Sequence, residues 1–348
     1  MVETVTLGST GLSVTRVGFG GIPIMRLPME EGVRVVRDVI GMGINFIDTA
    51  NVYGDSEEKI GRAICGFTRE TLVIASKSMA RDCETFARHI DLSLQRLRTD
   101  YIDIYYIHAL RSEEDIDAVM GKNGAMEALK TAMKIGKVRH AAFSSHNADT
   151  AIKIMRTGEF EVVQFPFNFI DREAENKLIP LAEELNMGFV AMKPLGGGLL
   201  NNARLCFRFL LQYNSIVPDP GIENSNEMRE ILDVITKRGP LSADEKKQMK
   251  CINLKMGKSW CHRCDYCRPC PEGIGISSVL IAKSIVRRMP FESAFEFLHE
   301  AMEKARHCTE CRTCVGRCPY ELDIPKLLRK NLVSWDKYRE TKDSSVFE

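Results

Sequence analysis

Eight of the twelve cysteines in this 348-residue chain fall between Cys261 and Cys318, in two bursts of four. The first burst is Cys261, Cys264, Cys267 and Cys270, followed by Pro271; the second is Cys308, Cys311, Cys314 and Cys318, followed by Pro319. The second reads C-x2-C-x2-C-x3-C-P. Three thiolates at this spacing on a loop can wrap a 4Fe-4S cube, and the proline after the fourth turns the chain away and removes an N–H. The chemistry on offer is one-electron transfer by iron-sulfur clusters.

The run is that of bacterial-type 4Fe-4S ferredoxins, in which the fourth thiolate of each burst serves the other cluster. Two rival readings stand beside it. A structural zinc binds four thiolates and has no use for a third cysteine in each burst. Disulfides need an oxidising compartment, and residues 1–16 show neither the charged nor the apolar region of a secretory signal. In the first burst two residues, not three, precede the last cysteine, so the reach of Cys270 to the second cluster is the least secure bond. Cys65, Cys83, Cys206 and Cys251 lack ligand spacing and read as small buried hydrophobes.

The elements that position these residues follow from length and periodicity. With 44% hydrophobic residues the chain can bury one large core and a smaller satellite. Its 48 basic and 47 acidic residues are well mixed, which argues against nucleic acid or an anionic membrane as partner. The absence of a long apolar run leads to the expectation of a cytoplasmic protein without a membrane span. From Thr15 to Thr236 short apolar strands alternate eight times with segments of 3.6-residue periodicity, the pattern of a (β/α)8 TIM barrel in the α/β class. The expected strands are 15–20, 45–48, 72–78, 102–108, 140–144, 162–165, 188–192 and 215–218. Asp55 and Glu58 suggest a capping box for the second helix, and Gly136 a left-handed end for the fourth. The expected domains are the barrel over 1–237, a linker over 238–257, an all-helical two-cluster ferredoxin-like domain over 258–332 and a tail over 333–348. Helices over 276–289 and 291–307 separate the two bursts.

In such barrels chemistry sits at the C-terminal ends of the strands. Three successive strands end in ionisable residues, Asp48, Lys77 and His108, and Tyr53 lies in the loop after Asp48. A tyrosine titrates near pH 10, so proton transfer near neutrality needs a cation beside it. Lys77 can be that cation, Asp48 its support, and His108 a donor to the substrate oxygen. Taken singly, a lysine or histidine closing a barrel strand is more often structural or solvated.

D-T-A-N-V-Y-G (Asp48–Gly54), V-I-A-S-K ending at Lys77 and Y-Y-I-H ending at His108 resemble the tetrad motifs of the aldo-keto reductases, in the subgroup with a C-terminal ferredoxin-type domain. The resemblance implies that Asp48, Tyr53, Lys77 and His108 are catalytic. It implies that Ser144 and Gln164 hold a nicotinamide carboxamide, and that Lys193, Pro194, Leu195, Gly196 and Gly198 lie along the pyrophosphate. Gly221, Asn224 and Glu227 would meet the adenosine end, where N–H groups at a helix start suit a phosphate. Read alone, the three glycines are ordinary turn chemistry as readily as a phosphate cradle. The chain departs from the family at Met192, where an aromatic residue usually stacks on the nicotinamide, and at Gly221 and Glu227, where basic residues meet a 2'-phosphate. NADP, NAD and a flavin are therefore all open. A hydride carries two electrons and a cluster one, a mismatch a flavin would reconcile. The expected function is hydride transfer to or from a small carbonyl or alcohol, with two 4Fe-4S clusters and a ferredoxin-like electron partner. The alternative is an electron-transfer or redox-sensing protein whose barrel is a scaffold.

Overall fold

Thr4–Thr6 (β1) and Ser13–Thr15 (β2) pair antiparallel ahead of everything else. The computed structural model describes residues 2–237 and 239–347, in two units, Met1–Leu241 and Ser242–Glu348. In the first unit eight parallel strands follow in sequence order among the described residues. They are β3 (Phe19–Gly20), β4 (Phe46–Asp48), β5 (Val73–Ser78), β6 (Ile102–Leu110), β7 (Val138–Ser145), β8 (Val162–Pro166), β9 (Gly188–Met192) and β10 (Ile216–Asp219). Gly18 N donates to Pro218 O (2.9 Å) and Gly20 N to Pro220 O (2.7 Å), and Gly20 bridges Gly221 in parallel, so the last strand meets the first.

The expected barrel is therefore present, with local differences. The first strand is shorter than 15–20 because Arg16, 1% exposed, turns its guanidinium onto the carbonyls of Tyr213 (2.6 Å) and Asn214 (2.5 Å). Leu7 and Val14 of the hairpin join Phe46, Val73, Ile104, Val162, Val190 and Val217 in the barrel interior, each buried side chain contributing about 1.5–3 kcal/mol. Gly8 allows this approach. Its φ is +55°, and a Cβ there would stand 2.2 Å from Gly188 N.

The helices are α1 (Met29–Gly41), α2 (Ser56–Ile64), α3 (Cys83–Leu97), α4 (Glu113–Met120), α5 (Ala125–Lys134), α6 (Ala148–Met155), α7 (Glu173–Glu184), α8 (Ala203–Leu210) and α9 (Ser225–Thr236). α4 is additional to the eight expected. The capping box expected at Asp55 does not form, because the Asp55 carboxylate accepts instead from Lys59 Nζ (2.7 Å). Gly136 does end α5 with φ +79°. Cys206 is buried as expected, whereas Cys65 and Cys251 are exposed.

The second unit is helical: α10 (Ala243–Met256), α11 (Ile276–Leu280), α12 (Ala282–Arg288), α13 (Phe291–Ala305), α14 (Thr313–Gly316) and α15 (Ile324–Thr341). The segment expected as a linker thus contains α10, opened by a capping box between Ser242 and Glu245, and the segment expected as a tail continues α15. The core of this unit gathers Val279, Ile285, Leu298, Met302, Leu328 and Trp335, and six of the cysteines pack against it. Among the described residues no helix is long and apolar enough to cross a membrane.

Candidate active site and cluster ligands

Lys77, near the end of β5, is 1% exposed and is the centre of the barrel constellation. Its ammonium donates to the Asp48 carboxylate and to Thr49 O (2.7 Å). It lies 5.5 Å from the Tyr53 ring centroid and 5.2 Å from that of Tyr106. Burial alone would lower its pKa, but the charges of Asp48, Tyr53 and Asp219 and the hydrogen bond to Asp48 outweigh it and hold the ammonium above its ordinary value.

The two tyrosines differ in access. Tyr106 is fully buried, and burial with the charges of Asp48 and Asp219 pushes its phenol well above the usual range. Tyr53 is half-buried, on the loop that leaves β4, and is the one of the pair able to meet a substrate. His108 stands edge-on to it, with ring centroids 6.0 Å apart and planes at 82°. All four residues of the expected tetrad are brought together.

The placement of His108 depends on Ala109 and Arg81, which the sequence reading did not single out, and on Ser144. The β6–β7 register shifts between Ile107 and Leu110, and Ala109 takes φ +56°, sparsely populated for a residue with a side chain. Ser144 Oγ accepts the Ala109 N–H at 2.8 Å. Arg81 donates to the carbonyls of His108 and Ala109, both at 3.0 Å, and is itself held by Asp115 of α4 at 2.8 Å. The added helix α4 thus supports the strand end that carries His108.

The remaining expected cofactor residues fall on neighbouring strand ends. Ser144 and Gln164 sit opposite each other in the β7–β8 register, side by side on the sheet. Met192 closes β9, and Lys193 follows with φ +57°, its carbonyl bound by Asn168 (3.0 Å) and its ammonium 2.7 Å from His146 Nε2. Gly196, Gly197 and Gly198 have φ of +57°, +66° and +83°, a run only glycine adopts without strain. Pro194 and Leu195 lie between, and Leu195 O accepts from Gly198 N (3.0 Å) and Leu200 N (3.1 Å). Gly221 pairs with Gly20.

Asn224 and Glu227 form a capping box at the start of α9. Asn224 Oδ1 takes the N–H groups of Asn226 and Glu227, and Glu227 takes that of Glu223 at 2.7 Å. Two of the N–H groups that would suit a phosphate are therefore already engaged, and the Glu227 carboxylate is held on the backbone.

Sequence reading also missed Asp219, the last residue of β10. It is 7% exposed and accepts from Gln164 Nε2 at 3.2 Å, while the same nitrogen donates to Asp48 at 3.3 Å. Burial first, then the Asp48 charge and a hydrogen bond between the two carboxyls, push Asp219 well above the usual carboxylate range against the pull of Lys77.

In the second unit the two cysteine loops share one backbone design. Residues two and four after the first cysteine of each burst are left-handed: Arg263 (φ +61°) and Asp265 (φ +59°) in one, Glu310 (φ +54°) and Arg312 (φ +58°) in the other. The two bursts also come together. Burial pushes the Cys261 thiol up to about 11, and Cys318 of the other burst is among the groups that add to this. Cys308 and Cys314 are raised by burial and then by Cys270. Cys270, Cys308, Cys311 and Cys314 line one pocket together with Pro271, Ile274 and Leu328. Among the described residues no three histidine, cysteine, aspartate or glutamate side chains close around a point as one metal ion requires. Eight cysteines in two sets of four suit two cubes, each binding four thiolates. The residues fit one cluster held by Cys261, Cys264, Cys267 and Cys318, and another held by Cys270, Cys308, Cys311 and Cys314.

Comparisons with known proteins agree with this division. Residues 16–205 match the Aldo/keto reductase family and residues 260–323 the 4Fe-4S dicluster domain. A curated relative, "Probable aldo-keto reductase 1" of Glycine max, is 28% identical over 215 residues, 57% of this chain and 60% of that protein, so the chain spans less than two thirds of its length. Among solved structures, the holo form of aldo-keto reductase AKR11C1 from Bacillus halodurans has a TM-score of 0.61 at 20% identity, covering 72% of this chain and 96% of that one. An aldo-keto reductase from Klebsiella pneumoniae in complex with NADP and acetate also has a TM-score of 0.61, at 21% identity, covering 73% and 96%. At these identities the structures attest the fold. The family match takes in more than half of the 348 residues, and with the barrel and its strand-end residues in place the chain belongs to the aldo/keto reductase family, its barrel followed by a 4Fe-4S dicluster domain.

Proposed function

We propose that this oxidoreductase transfers a hydride between a nicotinamide cofactor and a small carbonyl or alcohol, with Tyr53 as the proton donor to the carbonyl oxygen. The observation that carries the reading is a buried lysine between two tyrosines, of which Tyr53 is the more accessible. The nicotinamide, when bound, supplies the hydride. The chain does the rest. Lys77 stabilises the negative charge left on Tyr53 as its proton departs, and Asp48 and Thr49 hold Lys77. His108, fixed by Arg81 and the Ala109 bulge, offers a donor to the substrate oxygen. Ser144 and Gln164 receive the carboxamide. The NADP named for the Klebsiella relative makes NADP the nicotinamide cofactor to test first.

The eight cysteines hold two 4Fe-4S clusters, which carry single electrons to or from a ferredoxin-like partner. The test is anaerobically purified chain with Tyr53→Phe. Reduction of aldehydes with NADPH should fall about 10²- to 10⁴-fold while NADPH affinity is kept. Unchanged turnover would rule out the proton-donor role. A parent chain without nicotinamide-dependent turnover that still exchanges electrons with a ferredoxin would show the barrel to be a scaffold.

A further inference from the structure

The carboxyl of Asp219 has no place in the tetrad, yet it lies among its buried groups. Asp48 and Asp219 end β4 and β10, far apart in the chain, and the closure of the barrel through β3 brings them to one amide. Gln164 Nε2 donates to Asp219 Oδ2 at 3.2 Å and to Asp48 Oδ2 at 3.3 Å. Gly20 makes room for this on β3, since a Cβ there would lie 3.2 Å from Asp219 Oδ1 and 2.9 Å from Pro220 O.

An amide group has two different ends, an NH2 and a carbonyl oxygen, and can present either by turning over. Two carboxyls at one end decide the matter. The oxygen of Gln164 beside the Asp48 carboxylate would set two acceptors against each other, whereas the NH2 gives one hydrogen to each carboxyl. The carbonyl oxygen is then the end turned away from both.

We propose that Asp219 is a positioning residue of the hydride-transfer site: with Asp48 it clamps the Gln164 amide so that the carbonyl oxygen is kept for the NH2 of a nicotinamide carboxamide. The inference rests on the nicotinamide reading given above. It makes the site selective for a cofactor that can donate a hydrogen bond at that position. Asp219 contributes through acceptor geometry, so asparagine, which keeps an acceptor oxygen, replaces it and leucine does not.

The test compares binding of NADPH with that of its 3-acetylpyridine analogue, in which a methyl group stands where the amide NH2 was. Affinities are read by fluorescence titration on the cluster-loaded chain, without turnover. The parent should prefer NADPH by roughly threefold to tenfold, the equivalent of one hydrogen bond. Asp219→Leu should lose most of this preference, Asp219→Asn should keep it, and Gln164→Ala should lose it as well. The double variant Asp219→Leu/Gln164→Ala should lose no more than Gln164→Ala alone. Asp219→Ala, which opens space rather than filling it, serves if the leucine variant does not fold. Undiminished preference in both apolar variants, or losses that multiply independently of Gln164, would overturn the inference alone. A parent that binds neither NADP(H) nor NAD(H) would overturn the proposed function and this inference with it.

Discussion

Replacing Asp48 with asparagine keeps the shape of the side chain and an acceptor for Lys77 but removes the charge. The Lys77 ammonium has two hydrogen-bonded acceptors, the Asp48 carboxylate and Thr49 O, and is 1% exposed, so water does not stand in for a lost partner. Asp48→Asn leaves the ammonium a neutral acceptor in place of a carboxylate, which weakens a doubly charged hydrogen bond to a singly charged one by about 1–2 kcal/mol. Transmitted to the transition state, that lowers kcat/KM about 5- to 30-fold. The pH dependence has a definite sign. Asp48 helps to hold the Lys77 proton on against burial; without it the ammonium is lost at lower pH, and activity declines earlier as pH rises.

Asp219 makes the experiment sharper. The Asp48 charge is one of the forces that raise the pKa of the Asp219 carboxyl, so Asp48→Asn lowers it and strengthens the support that the Asp219 charge gives Lys77. The double variant Asp48→Asn/Asp219→Asn should therefore be slower than the product of the single effects, with its decline at still lower pH. The assay is kcat/KM for aldehyde reduction with NADPH from neutral to alkaline pH. An alkaline decline at the same pH in parent, single and double variants would refute the reasoning.

Two further outcomes follow from other parts of the chain. Asp103, buried near the start of β6, accepts from Arg69 (2.6 Å), Arg139 (3.0 Å) and Ile74 N (2.9 Å), and both arginines flank the Tyr101 ring. Asp103→Ala breaks a buried ion pair at a cost of roughly 3 kcal/mol, the lower end because Arg139 is partly exposed, and should lower the thermal midpoint by about 6–12 °C in circular dichroism. For the cysteines, Cys318→Ser should reduce bound iron by about half, from about eight atoms to about four. Adding Cys264→Ser should remove little more, whereas adding Cys311→Ser should remove the rest. The reverse pattern would show that each burst serves its own cluster.

The tetrad was legible because each member lies at or just beyond a strand end, and strand ends follow from apolar runs and the barrel's repeat. Asp219 was not legible. The last strand was ended at Pro218, and the weight of Asp219 comes from its nearness to Asp48, which only barrel closure creates. Arg81 acts on the carbonyls of His108 and Ala109, a contact that leaves no pattern in residue types. Asp55 misled because Lys59 is fully buried against the carbonyls of Ile24 and Leu27 and draws the carboxylate away from the helix start. A similar signal was overlooked at Ser242 and Glu245, where the capping box does form and opens α10.

The proposed crossing of ligands between the two bursts would also govern how the protein can be made. In the proposed sets three ligands come from one loop and the fourth from the other, across α13, so one set is complete only once Cys314 and the other only once Cys318 has been made and α13 has folded back. Iron delivered earlier would meet only three thiolates, a site open to oxidation. Cluster loading is then a late and concerted event, and a chain truncated between the bursts should retain neither cube. On the proposed assignment the second unit therefore cannot hold both clusters until both loops have been made.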